Sequence, residues 1–242
     1  MLAEPRTWQL DVAAVQDLTP RMRRVQLTSP DLDRFEYLPG QDMALTFRRA
    51  DSPPVRRRYT IRHYDPAQRL IDLDFVLHGD GPGVRWAQTA RPGDAIEVVG
   101  PRGKITLVRD AAWHLFAGDA TAVPGALAMM EALPPDLPAV TFLQVDAPEE
   151  RQSADDRRGR QITWHYEVPA PTGDAGLSAT LAGAALPPGR GHAYLAGEVA
   201  LVTALKATLL SRGWAAEAIS AKAYWNRGRA NAGHGEPELK AT

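Results

Sequence analysis

The run Val55-Arg56-Arg57-Arg58-Tyr59-Thr60-Ile61-Arg62-His63-Tyr64 decides how the first half of the chain is read. As a β-strand it puts Arg57, Tyr59 and Ile61 on one face and Arg58, Thr60 and Arg62 on the other. A guanidinium then stands two residues from an aromatic hydroxyl on the same face. That pairing suits a ligand with a phosphate at one end and a flat ring system at the other. The same residues are equally compatible with a basic edge strand whose charges discourage aggregation. The rest of the chain has to decide between the two.

Around this strand, up to residue 109, apolar residues recur with period two, the mark of half-buried strands. Trp8, Leu10 and Val12 alternate with Gln9, Asp11 and Ala13; Val25 to Leu27 and Met43 to Phe47 behave similarly, and Ile71 to Leu77 is the clearest case. Turn formers punctuate the runs at Pro39-Gly40, Asp51-Ser52-Pro53-Pro54, Pro92-Gly93-Asp94 and Gly100-Pro101-Arg102-Gly103. About six short strands with Greek-key-length connections predict a closed antiparallel barrel over residues 1–109. From Trp113 the rhythm changes. Apolar runs at His114 to Ala117, Val140 to Val145, Gln161 to Val168, Ala193 to Ala196 and Ile219 to Tyr224 alternate with helical patterns at Ala122 to Leu133 and Ala200 to Leu210. Alternating strands and helices predict an open, mostly parallel α/β sheet over 110–242. Ala147 to Gly159 and Pro169 to Leu177 read as loops, and Arg229 to Thr242, poor in apolar residues, as a frayed tail.

A chain of 242 residues has the mass for two domains. Its formal charge of −1 argues against a general nucleic-acid binder. The basic residues are nevertheless uneven, with Arg48, Arg49, Arg56, Arg57, Arg58 and Arg62 close together. With no cysteine, there is no disulfide framework, iron–sulfur cluster or thiol nucleophile. No apolar leader core and no run of membrane-spanning length appear, so a soluble cytoplasmic protein without membrane insertion is expected. The six histidines, His63, His78, His114, His165, His192 and His234, show no metal-ligand spacing and read as surface or capping residues.

Three loops carry candidate chemistry. In His78-Gly79-Asp80-Gly81-Pro82-Gly83-Val84-Arg85-Trp86-Ala87 the glycines permit a tight path into a helix start, and loop amides with a helix N-terminus make an anion site. The plain alternative is a glycine-rich hairpin. Gly118-Asp119-Ala120-Thr121-Ala122 lies between the first strand and first helix of the α/β half, where such sheets receive ligands. It holds no G-x-G-x-x-G, and Thr121 is either a helix cap or a pyrophosphate contact. Ala196-Gly197-Glu198 occupies a similar place after a later strand, where a glutamate in the first helical turn is also explained by the macrodipole.

The order Arg57-x-Tyr59-Thr60 resembles the flavin-binding strand of the ferredoxin-reductase-like superfamily. These three loops, with Tyr224-Trp225-Asn226-Arg227-Gly228, make the chain similar to the siderophore-interacting proteins, which are FAD-dependent ferric-siderophore reductases. The resemblance runs from near residue 55 to near residue 228. It implies an FAD-binding barrel (1–109) followed by an NAD(P)H-binding α/β domain (110–242). It also implies cofactor contacts from Arg57, Tyr59, Thr60, His78, Gly81, Gly83, Val84, Arg85, Trp86, Asp119, Thr121, Ala122, Gly197 and Glu198. Arg57 would neutralise phosphate, Tyr59 pack on the flavin or its ribityl chain, and Thr60 bond near the reactive ring nitrogen, with no side chain as acid or base. The family commonly carries glutamate at the place of Ala120, and a basic residue at the place of Asn226. The donor would be NADPH, NADH or a ferredoxin, and the substrate a ferric siderophore, with no metal site in the protein and a monomeric state. Arg56, Arg58, Arg62 and Arg227 are candidates for a positive rim that meets anionic chelates. Two rivals are another flavin reductase of the superfamily and a siderophore carrier without flavin.

Overall fold

The computed structural model describes residues 4–49, 52–152, 160, 162–166 and 175–227. Gln161, Val168, Gly228 and the tail fall outside them, as do most residues of the two loop segments. The chain forms two compact units: Met1–Leu107 with Leu127–Ala132, and Val108–Ala126 with the described residues from Leu133 onward.

The first unit is a closed barrel of antiparallel strands in the order β1-β2-β5-β4-β3-β6. These are β1 (Arg6–Thr19), β2 (Met22–Thr28), β3 (Asp42–Arg49), β4 (Ser52–Asp65), β5 (Leu70–Val76) and β6 (Ala95–Arg102). The period-two pattern is satisfied inside the barrel, where Leu10, Val25, Leu27, Leu45, Ile61 and Phe75 are fully buried. The turn signal at residues 51–54 falls, where it is described, inside a strand. β4 begins at Ser52, and Pro53 and Pro54 stand exposed at its start, beside a register shift, where no inner ladder bond is lost. The polar alternates of β5 do not face open water. Asp72 and Asp74 are buried, because Arg24 forks onto Asp74 at 2.7 and 2.9 Å and lies 3.3 Å from Asp72, to which Gln26 donates at 2.9 Å.

Helix α1 (Pro82–Thr89) packs on β2, β3 and β5. Its C-terminal carbonyls, of Ala87 and Gln88, accept hydrogen bonds from Arg23 Nη1 at 3.1 and 3.0 Å, and Asp17 holds that guanidinium at 2.6 Å. A cation at this end complements the helix dipole and leaves the opposite end electropositive.

The second unit is a parallel sheet in the order β11-β10-β7-β8-β9. Its strands are β7 (Trp113–Gly118), β8 (Ala139–Val145), β9 (Ile162–Tyr166), β10 (Gly191–Glu198) and β11 (Ile219–Trp225). The chain starts in the middle at β7, runs out to β9, then returns to the other side through β10 and β11. The point where that order reverses, between β7 and β10, is where open α/β sheets bind ligands. Helices α2 (Val123–Ala132), α3 (Ala175–Gly183) and α4 (Val199–Ser211) complete the set. The loop reading of 169–177 is corrected: α3 begins at Ala175, and Leu177 and Leu181, one turn apart, are buried with Leu201 and Leu205 of α4.

The histidine reading is corrected too. His114 is fully buried and His192 nearly so. His114 lies against Phe116 and Tyr194, which also stack on each other, with no hydrogen-bond partner for either ring nitrogen. Burial, with the nearby His192 and Arg160, pushes its pKa down to about 4 from 6.5. The folded state therefore resists a proton that the unfolded chain accepts, so stability present above pH 6.5 is lost as pH falls toward 4. At about 1.4 kcal/mol per pKa unit the loss approaches about 3 kcal/mol. Replacing His114 by Phe removes it: the stability of His114→Phe relative to the parent should rise by about 2–3 kcal/mol between pH 7 and pH 4 in urea titrations. A pH-independent difference would contradict this assignment.

Candidate functional site

Strand β4 and helix α1 form one candidate site, within the barrel unit. Register pairs Arg57 with Leu45 and Tyr59 with Met43, so both share a face with buried core residues. Arg58 and Thr60, opposite Ala44 and Asp42, face the other way. The Tyr59 ring lies 4.1 Å from Phe75 and edge-on to Phe47, and Trp86 of α1 packs on both phenylalanines at 5.6 and 5.8 Å. Burial raises the Tyr59 phenol pKa, partly offset by the Arg57 charge, so the hydroxyl stays protonated as a donor.

The three loop glycines differ in what demands them. A Cβ on Gly83 would sit 1.8 Å from the Tyr59 hydroxyl, so this close approach excludes any side chain. Gly79 takes φ +66°, a left-handed conformation. Gly81 has neither constraint: a Cβ there would point into open space. Gly81 is also the N-cap of α1, makes no side-chain cap bond, and precedes Pro82. The amides of Gly83 and Val84 thus stand in a first turn that supplies no partner of its own, with no acidic residue in that turn. A helix start without a cap, opened further by a bare glycine, is shaped for an anion brought close to the backbone. Arg85 is largely exposed and donates to the Asp80 carbonyl. His78 lies just before this turn, two residues past the end of β5.

Of the rim arginines, Arg58 forks onto Asp42 at 2.7 Å through both nitrogens, and Arg62 onto Glu131 at 2.6 and 2.5 Å. Their charges are compensated by partners distant in sequence. Arg56 and Arg48 instead share one carboxylate, Glu97, at 3.6 and 3.7 Å, and both are mostly exposed. Arg57 donates to the Arg56 carbonyl at 2.8 Å.

A separate candidate site, within the second unit, is the carboxyl edge of the parallel sheet, at the reversal point. Gly118 pairs with Ala196, and a Cβ on it would meet the Ala196 oxygen at 2.0 Å and the buried Ala122 at 2.6 Å. Asp119, not Thr121, is the capping residue. Its Oδ1 accepts from the Thr121 amide at 2.8 Å and hydroxyl at 2.5 Å, and Oδ2 from the Glu198 amide at 2.7 Å and Trp225 Nε1 at 2.9 Å. Burial raises the Asp119 pKa and these bonds oppose the rise. Glu198 is the N-cap of α4 rather than a first-turn residue, and its Oε2 accepts from Leu201 at 3.2 Å and from Ala200. Glu198 Oε1 takes the Arg227 amide at 3.2 Å, and the Arg227 guanidinium lies 6.0 Å from the Trp225 ring. Residues 119, 121, 122, 197 and 198 are thus together, and Trp225, which the site reading did not include, joins them. Nothing local in sequence signals a bond between residues 106 apart.

Among the described residues no group of three or more His, Asp or Glu is placed to hold a metal, and no helix is long and apolar enough to cross a membrane.

A closed antiparallel barrel followed by a parallel sheet of this order is the fold class of the ferredoxin reductases. Within that class the chain belongs to the siderophore-interacting protein family. Residues 41–105 match its "Siderophore-interacting FAD-binding domain" and residues 111–228 its "Siderophore-interacting protein" model. The chain is 31% identical over 245 residues to the ferric vibriobactin reductase ViuB of Vibrio cholerae, covering 91% of this chain and 89% of that one. It is 27% identical over 180 residues to an NADPH-dependent ferric-chelate reductase of Escherichia coli, covering 72% and 67%. A siderophore utilization protein from T. fusca superposes with a TM-score of 0.86 at 30% identity, covering 97% of this chain and 98% of that one.

The glycines give a sharp expectation. Gly81→Ala should leave thermal stability within about 0.5 kcal/mol yet weaken FAD binding, because only the ligand needs that space. Gly83→Ala should destabilise the fold by about 1–3 kcal/mol, and Tyr59→Phe should relieve part of it. Equal stability losses in both variants, read from thermal unfolding beside FAD titration, would contradict the cradle.

Proposed function

We propose that this chain reduces ferric siderophores, taking electrons from NAD(P)H and releasing ferrous iron for the cell's use. The observation that carries this is the meeting of the Arg57–Tyr59 strand face with a helix start that has no cap and a glycine with open space beyond it, in a chain of this family. A bound FAD would supply the chemistry that converts a hydride from the nicotinamide into single electrons for ferric iron. Arg57 and the amides of Gly83 and Val84 hold the diphosphate. Tyr59, fixed by Phe75 and Phe47, would line the flavin's approach. The bond near the reactive ring nitrogen that the resemblance assigns to Thr60 would have to come from the opposite face of the strand. The carboxyl edge at Asp119, Gly197 and Glu198 receives the nicotinamide half of the donor. Ferrous iron binds hard oxygen ligands less tightly than ferric iron, so reduction frees the metal from its chelator.

The reading takes residues 1–109 as the FAD domain and 110–242 as the NAD(P)H domain of a cytoplasmic monomer, with NADPH or NADH as donor and a reduced ferredoxin as the rival donor. It places the steering charge for anionic chelates on Arg56, aided by Arg48, since one carboxylate serves both. Arg58, Arg62 and Arg227 contribute less, the first two being bound to carboxylates of their own.

Loss of one charge-assisted phosphate contact should cost about 1.5–3 kcal/mol, so Arg57→Ala should bind FAD about ten- to a hundredfold more weakly while staying folded. An unchanged FAD affinity would remove Arg57 from the site. For the activity, stopped-flow mixing with NADPH or NADH should bleach the flavin absorbance, and turnover should be faster with ferric chelates than with free flavin or quinone. Arg56→Gln should slow reduction of an anionic chelate at low salt and not at high salt. No bleaching by either nicotinamide, with rapid bleaching by reduced ferredoxin, would replace the donor. Faster turnover of free flavin or quinone would replace the substrate.

A further inference from the structure

Asp119 ends β7, and three strand ends meet at its carboxylate. Its two oxygens accept four hydrogen bonds, from Thr121 (twice), Glu198 and Trp225. Gly197, at φ +135°, lies so near that a Cβ would stand 2.6 Å from the carboxylate. The Asp119 carboxylate itself offers an approaching pyrophosphate neither a cation nor a donor, only a negative charge already saturated by the chain's own N–H and O–H groups; a cation stands nearby, the Arg227 guanidinium, 6.0 Å from the Trp225 ring. Glu198 is engaged likewise, one oxygen capping α4 and the other accepting the Arg227 amide. Neither carboxylate has the chemistry of a cofactor ligand. What Asp119 holds is Trp225, the last residue of β11, opposite Glu198 in the register and half-buried at the carboxyl edge.

We propose that Asp119 is a positioning residue for the nicotinamide half of the donor: it fixes the Trp225 indole and the Gly197–Glu198 peptide as one rigid edge against which the flat nicotinamide ring is laid. This rests on the NAD(P)H reading above. An indole can stack on such a ring only if its plane is set beforehand, and the Nε1–H bond sets it. Asparagine at 119 keeps the shape but not the function. Whichever way its amide is turned, the NH2 group meets at least one backbone N–H donor.

The test is calorimetric titration of FAD-loaded protein with NADP+, which binds without reducing the flavin, for the parent, Asp119→Asn, Trp225→Phe and the double variant. Steady-state KM for NADPH and near-ultraviolet circular dichroism of the indoles are measured alongside. Each single variant should raise the NADP+ Kd and the NADPH KM together by about tenfold, the scale of one lost charge-assisted hydrogen bond. The double variant should be no worse than Asp119→Asn alone, because the two residues act through one bond. Asp119→Asn should also alter the indole dichroism band that Trp225→Phe removes. If Asp119→Asn does not fold, Trp225→Phe decides alone, and an unchanged Kd overturns the proposal. Effects that multiply, or a fall in kcat with Kd unchanged, overturn it as well. Parent protein that binds NADP+ beside variants that bind equally well sinks this inference and spares the donor reading. Parent protein that neither binds NADP+ nor is reduced by NADPH sinks both.

Discussion

The Tyr59 ring lies between Phe75 and the backbone at Gly83, with its hydroxyl where any side chain at residue 83 would be. This single close approach brings strand β4 against the start of α1. It therefore sets where Arg57 stands relative to the first-turn amides of the helix. The aromatic cluster of Phe47, Tyr59, Phe75 and Trp86 supplies the apolar area that holds the helix there. At the far end Arg23 binds the last carbonyls of α1, so both helix ends are committed to one orientation. The anion site is a consequence of that packing rather than a separate device.

The α/β unit solves the opposite problem. Its strand ends converge at the reversal point, and there two carboxylates hold the backbone together, with the Arg227 guanidinium near the Trp225 ring. They satisfy helix amides and an indole N–H that would otherwise be left without partners at a buried edge. A site built this way binds by shape and by an aromatic surface more than by charge. On the proposed reading, the donor arrives, transfers and leaves, whereas the cofactor would be held by charge-assisted phosphate contacts in the barrel.

The sequence made legible what depends on local pattern. Period-two runs located the barrel strands, alternation of strands and helices located the parallel sheet, and glycine punctuation located the loops at residues 78–87 and 118–122. Long-range pairing was not legible. Arg58 and Arg62 read as outward charges until Asp42 and Glu131 were seen to hold them. The alternation of β5 gave no sign that Asp72 and Asp74 are buried, since their partner Arg24 is far away in the chain. His114 followed the same rule, its cover coming from Phe116 and Tyr194. Helix α3 escaped notice because its small residues and glycines make a weak amphipathic pattern, with only Leu177 and Leu181 buried in the core. Glu198 lay one residue from its expected place, the difference between a dipole partner and an N-cap.

The central claim is that one cofactor, held between Arg57, Tyr59 and the α1 start, connects nicotinamide to chelated iron. It is tested most directly by a single anaerobic turnover. Protein loaded with FAD and reduced with one equivalent of NADPH is mixed with a ferric siderophore and a colorimetric ferrous trap. Because a hydride carries two electrons and ferric iron takes one, the flavin absorbance should return as about two ferrous ions appear per flavin, at matching rates. Return of the absorbance without trapped ferrous iron, or a reduced flavin that persists in excess ferric siderophore, would contradict the account.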